Sequence, residues 1–269
     1  IPAIDYSEGV KTVYPQGIQA KEFILPKELL EQDCVISLSK MKTHALERIT
    51  GAVKNSYGFI YGFHKAKGHT QYPSADSFAR MLIDLNKCVA PKLYVMDGIV
   101  AMEGNGPGSG DPVPMNVLLM STDPVALDSV FSRLVYLKPE MVPTNYHGEK
   151  MGLGTWKEEE ITLLTPDGEI SMAEAVKKYG NPAFNVDRTE VRKNIWTRMA
   201  GALNIFQKKP YIEADKCVRC GICVQSCPVP GKAVDFRKGK GKPPVYDYRK
   251  CIRCFCCQEM CPKKAIKVK

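Results

Sequence analysis

Eight cysteines in two runs constrain this chain more than any other feature. The first run reads Cys217-x-x-Cys220-x-x-Cys223-x-x-x-Cys227-Pro228, the second Cys251-x-x-Cys254-x-x-Cys257-x-x-x-Cys261-Pro262. They form an internal repeat, because Lys216-Cys217-Val218-Arg219-Cys220 returns 34 residues later as Lys250-Cys251-Ile252-Arg253-Cys254. Three thiolates spaced by two residues let one tight loop wrap a cube of iron and sulfide and ligate three of its irons. The fourth iron takes a cysteine from elsewhere, and in a chain with two such runs it comes from the other run. The expected ligand sets are Cys217, Cys220, Cys223 and Cys261 for one 4Fe-4S cluster, and Cys251, Cys254, Cys257 and Cys227 for a second. Pro228 and Pro262 lack an N–H and fix φ, so each turns the chain just after its remote ligand.

Other uses of cysteine fit poorly. Zinc takes its four ligands as two separated pairs, which leaves the third and fourth cysteine of each run without a role. Disulfides need an oxidising compartment, and no signal segment is evident to deliver the chain to one. Of the eleven cysteines only Cys34, Cys88 and Cys256 fall outside the ligand sets. Cys256 stands where the first run has Ile222, so it reads as a small buried apolar residue beside the cluster. Reduced cysteines and exposed clusters predict a cytoplasmic, anaerobic setting. No apolar run approaches the roughly 18 residues of a membrane span.

The formal charge of +9 is unevenly placed. From Lys208 to Lys269 there are 16 Lys and Arg against 5 Asp and Glu, leaving 22 against 24 for the rest of the chain. A basic ferredoxin part favours an acidic redox partner through electrostatic steering. Nucleic acid is disfavoured, because much of the charge sits in Arg237-Lys238-Gly239-Lys240-Gly241-Lys242, a solvated loop between the runs.

In the 269 residues, three parts are expected: an α/β domain over 1–186, a basic amphipathic linker over 187–209 and a small α+β two-cluster domain of ferredoxin type over 210–269. Cys34–Leu38 predicts a buried strand leading into a polar loop, Ser39-Lys40-Met41-Lys42-Thr43-His44. Ala45–Tyr57 predicts a helix, residues 57–73 a loop, and Phe78, Met81, Leu82, Leu85 and Val89 an amphipathic helix capped by Ser74 or Asp76. Lys92–Met96 and Val117–Met120 predict strands separated by an irregular Gly/Pro-rich stretch, and Asp123-Pro124 opens a helix. Ile161–Leu164 adds an edge strand. Ile195, Trp196, Met199, Leu203 and Phe206 give the linker an apolar side. Tyr211-Ile212 and Val245-Tyr246 are short strands before each run. Alternating strands and helices predict a largely parallel sheet with flanking helices.

In such a sheet, ligands settle beyond the carboxyl ends of the strands. Lys40, Lys42, His44 and Lys54 on one side, with Asp97, Glu103 and a glycine run on the other, are the candidate residues for an anionic ligand. The glycines would bring backbone N–H groups against the anion, and the lysines would neutralise it. Equally, the lysines are surface charges and the glycines a mobile loop.

Ser39-Lys40-Met41-Lys42-Thr43-His44, Thr50-Gly51-Ala52-Val53-Lys54-Asn55, Asp97-Gly98-Ile99 with Glu103-Gly104-Asn105-Gly106-Pro107, and Asp123-Pro124-Val125-Ala126-Leu127-Asp128 together resemble the family called domain of unknown function 362. Many of its members carry a C-terminal two-cluster ferredoxin. The likeness spans about residues 30–165. The family's upstream Lys-Pro-Asn and Gly-Asp-Ser runs are not found, which implies that an upstream part of the family domain is absent. The expected function is an iron-sulfur electron-transfer protein that passes single electrons between a redox partner and an α/β domain holding an anionic ligand. The alternatives are an oxidoreductase acting on a small anionic substrate, or a non-redox enzyme with structural clusters and Lys54 or His44 as base.

Overall fold

A computed structural model describes residues 5–62, 64–190 and 209–268. The linker side chains Ile195, Trp196, Met199, Leu203 and Phe206 lie outside the described residues. The chain opens with a hairpin, β1 (Gly9–Val13) against β2 (Glu22–Pro26), and a short helix α1 (Lys27–Leu30). This hairpin carries no strong periodicity in the sequence. It is fixed from outside, by the buried carboxylate of Asp84, which accepts the N–H groups of Ile18, Gln19 and Ala20 at 3.1, 2.6 and 2.8 Å.

The central sheet has the order β4-β3-β5-β6, from β3 (Ile36–His44), β4 (Arg48–Thr50), β5 (Leu93–Glu103) and β6 (Asp111–Ser121). Only β3 and β5 run parallel; β4 and β6 are antiparallel to their neighbours. The sheet is therefore mixed, which corrects the expectation of a largely parallel one. The reason lies in the connections. β5 does not stop at Asp97-Gly98 but continues to Glu103, and the Gly/Pro-rich stretch is the tight turn of a β5–β6 hairpin. Turns this short join only antiparallel strands.

β3 also differs from its expected form. The stretch from Ser39 to His44 is strand rather than loop, and it buries one face only. Ser37, Ser39, Met41 and Thr43 point into the core, while Ile36 and Leu38 face outward with Leu38 72% exposed. Small polar residues on the inner side hide the period of two from hydropathy. Residues 45–57 are not one helix: β4 is followed by α2 (Ala52–Asn55) and a 3-10 turn, Ser56–Phe59. The expected loop over 57–73 contains a helix, α3 (His64–Gln71).

The long helix α4 (Ala75–Val89) is capped by Ser74, whose hydroxyl accepts the Ser77 N–H at 3.1 Å, and α5 (Pro124–Leu134) by Asp123, as expected. Phe131 and Leu134 of α5 pack with Met41, Tyr94, Met96 and Val117 from the inner sheet face, while Phe78, Leu82 and Leu85 of α4 form a second cluster with Phe23 and Leu25 of the hairpin. α6 (Pro143–Lys150) packs on α4. β7 (Leu163–Thr165) pairs only with β8 (Gly168–Ile170), so it is a separate hairpin rather than an edge of the main sheet. α7 (Met172–Tyr179) follows. The described helices of this domain cover one face of the sheet. On the other, Ile36, Leu118 and Met120 stay more than half exposed.

Residues 187–189 belong to the α/β domain in their contacts. The Arg48 guanidinium donates to the carbonyls of Asp187 and Thr189, and that of Arg188 to those of Val135 and Phe184. The cysteine-rich part is built on β9 (Pro210–Ile212), α8 (Ile222–Gln225), β10 (Val234–Asp235), β11 (Val245–Tyr246), α9 (Cys256–Glu259) and β12 (Ile266–Val268). β9 pairs with β12 and β10 with β11, which places both expected short strands.

Candidate cluster sites and the seam between the two parts

Cys217, Cys220, Cys223 and Cys261 line one cavity, the set expected for the first cluster. Cys227 and Cys257 are buried in the same small core, with Cys251 packed against it. Among the described residues no three Cys, His, Asp or Glu side chains are grouped to hold a single metal ion. Besides the shared cavity, the residues present fit an iron-sulfur group through the donors aimed at sulfur. The N–H of Ala233 reaches Cys227 Sγ at 3.3 Å, that of Ala265 reaches Cys261 Sγ at 3.3 Å, and the Tyr246 hydroxyl reaches Cys257 Sγ at 3.1 Å. Such hydrogen bonds stabilise charge on thiolate sulfur and are a lever on cluster potential. The two runs are unequal here, since the repeat places Ile212, with no donor, where the second run has Tyr246.

α9 joins the cysteine-rich part to the α/β domain. Its Glu259 carboxylate accepts from His44 Nε2 at 3.2 Å and pairs with Lys54 Nζ at 3.8 Å. The neighbouring Gln258, fully buried, donates to the carbonyls of Asn105 and Gly106 at 2.8 and 3.0 Å. Asn105 Nδ2 donates back to the Ile266 carbonyl at 3.2 Å. Each partner is positioned locally. His44 ends β3, and its Nδ1 accepts the N–H groups of Leu46 and Glu47, both at 3.1 Å. The ring proton is therefore on Nε2, which donates it to Glu259. Lys54 sits on α2, whose first N–H groups, Ala52 and Val53, are taken by Asp128 at 2.5 and 3.1 Å. Gly51 is required there, because a Cβ would stand 1.9 Å from Asp128 Oδ1.

Three of the six expected ligand-site residues meet at this seam. His44 and Lys54 face Glu259, and Lys42 feels both charges: burial first, then Lys54, lowers its pKa while Glu259 opposes. The other three do not join them. Lys40 and Asp97 form an exposed ion pair 2.5 Å apart. Glu103 accepts the Asn185 N–H at 2.7 Å. The glycine run also departs from expectation. Gly104 N–H bonds the Asn185 carbonyl and Gly106 N–H the Gly104 carbonyl, so the loop offers carbonyls to Gln258 rather than N–H groups to an anion. The anion that the basic residues hold is the chain's own Glu259. One signal could have found it: across the repeat, Glu259 replaces Gln225 of the first run.

Electrostatics at the seam follow from burial. For Glu259 burial alone would raise the pKa, but Lys54 and the His44 hydrogen bond hold the carboxyl well below its usual range. His44 is pushed down to about 4 by burial and Lys54, against the pull of Glu259. His69, stacked on Phe78 with ring centroids 4.5 Å apart, is pushed down to about 3, chiefly by burial. Both histidines are thus neutral when folded, whereas the unfolded chain protonates them below about pH 6.5. Their contribution is fully present above that pH and is lost as pH falls toward the folded values. Asp128, pushed up to about 7 by burial, and buried Glu47, raised well above the usual carboxylate range, act in the opposite direction, so the histidine contribution is read by difference. Between pH 7 and pH 5, His69→Phe, which keeps the stack, should gain about 2 kcal/mol of stability relative to the wild type. An unchanged slope in the variant would show that His69 does not resist protonation.

No helix among the described residues is long and apolar enough to cross a membrane. Residues 1–133 match the family model for the domain of unknown function DUF362, and residues 209–262 that for a 4Fe-4S dicluster domain. The DUF362 match covers residues 1–133, so the N-terminal hairpin lies inside it, which corrects the bounds of a likeness placed at 30–165. A thylakoid-associated protein of Synechocystis sp. is 42% identical over 130 residues, covering 48% of this chain and 40% of that relative. The chain thus spans two fifths of the length of that curated relative. The dicluster domain points to iron-sulfur electron transfer.

Proposed function

Because residues 1–133 match a DUF362 domain and residues 209–262 a 4Fe-4S dicluster domain, we propose that the protein passes single electrons between an acidic redox partner and the α/β domain, which holds a small anionic ligand where the two parts meet. Each 4Fe-4S cluster, when bound, takes up and releases one electron. The chain's own residues do the rest. Cys217, Cys220, Cys223 and Cys261 would hold one cluster and Cys251, Cys254, Cys257 and Cys227 the other. Lys238, Lys240 and Lys242 present a basic loop to the partner.

The observation that carries this reading is the docking of α9, which bears Cys257, onto His44 and Lys54 through Glu259. It puts the second run against the α/β domain, while Cys220 of the first run is exposed to solvent. A non-redox enzyme with Lys54 or His44 as base is less well supported, because Glu259 engages both. Reduction of the anaerobically prepared protein by a small acidic electron carrier should slow as salt rises, since charges are screened over about 8 Å at physiological ionic strength. Reversing Lys238, Lys240 and Lys242 to Glu should mimic high salt. A rate independent of salt would remove the acidic-partner claim, and clusters that no carrier reduces would remove the electron-transfer reading.

A further inference from the structure

Beside the Glu259 contact the seam opens into a cavity of about 440 Å³, within the usual range for small-molecule sites. One wall comes from the α/β domain, with Tyr57, Lys65 and His69; the other comes from the cysteine-rich part, with Ile222, Cys256 and Met260. We propose that this cavity binds a monocarboxylate with a flat apolar body, and, resting on the proposed function, that this is the anionic ligand held by the α/β domain.

The charge count sets the class. Glu259 also reaches the cavity, but its carboxylate is already engaged by His44 and Lys54. His69 is 2% exposed and its Nδ1 has no partner, so it adds a polar atom but no charge. Lys65 is then the one cation of the lining, and its amine makes no ion pair among the described residues. One cation matches one carboxylate. A phosphate dianion would be left half neutralised against Ile222, Met260 and the Tyr57 ring, at a desolvation cost those groups cannot offset. The same apolar walls favour burying a ring.

The test uses the full chain with its iron, in the oxidised state, titrated calorimetrically with naphthalene-2-carboxylate and with the neutral 2-naphthalenemethanol. The carboxylate should bind below about 1 mM and the alcohol about tenfold more weakly. Lys65→Gln should erase that difference without changing alcohol binding. Gln225→Trp, an exposed position on the cavity rim, should weaken both ligands about tenfold or more. Absence of carboxylate binding to the wild type, equal binding of the two probes, or binding unaffected by Gln225→Trp would each overturn the proposal. Iron content and reducibility are read separately. Loss of reducibility with probe binding intact would therefore refute the electron-transfer reading and leave the cavity assignment standing.

Discussion

Cys227→Ala should strip the protein of about half its iron, four atoms of eight, and the cluster lost should be the one held by the second run. Pairs of substitutions reveal which cluster that is. Cys227→Ala combined with Cys251→Ala removes two ligands of one cluster under crossed ligation, so the double variant should keep as much iron as either single variant. Cys227→Ala combined with Cys223→Ala strikes both clusters and should leave almost none. If each run instead held its own cluster, the two outcomes would be exchanged. The geometry behind the expectation is that Cys261 lines the cavity of Cys217, Cys220 and Cys223, although it is the last cysteine of the other run. Iron analysis with spin quantitation of the reduced, anaerobic protein measures the result.

A second large effect is expected at the seam. Lys54 is 9% exposed and the Glu259 side chain 26%, so removing either partner leaves the other charged and largely out of water. Lys54→Met and Glu259→Gln should each lower the unfolding free energy by about 2–3 kcal/mol, toward the low end for broken buried pairs because Glu259 keeps some solvent. The double variant should be destabilised by clearly less than the sum of the two, since no lone charge remains. Strict additivity in chemical denaturation would mean that the pair does not fasten the two parts together. His44 sharpens the comparison. Neutral and hydrogen-bonded through Nε2, it can still donate to the amide oxygen that the Glu259→Gln substitution leaves in place of the carboxylate. His44 is therefore expected to soften the Glu259→Gln effect relative to Lys54→Met.

Much of the cysteine-rich part was legible in the chain itself. Ligation chemistry is local: thiolates two residues apart, a proline after each remote ligand and an exact repeat of Lys-Cys-x-Arg-Cys do not depend on the rest of the fold for their meaning. The caps at Ser74 and Asp123 were equally local, because a side chain that accepts an N–H two or three residues away needs only its own turn. What the tertiary structure alone decided is non-local. Sheet direction turned on whether the chain after Asp97 crosses over or folds straight back, and the turn that folds it back is rich in the glycines and prolines that read as loop. The β3 strand was concealed because Ser37, Ser39 and Thr43 face inward, where burial depends on helices distant in sequence. The candidate site changed most. Lys54 and His44 read as a socket for an external anion, but the nearest anion is Glu259, more than two hundred residues further along and brought there by the docking of α9. Charge in a sequence marks a group that needs a partner; only the folded chain decides which partner it has.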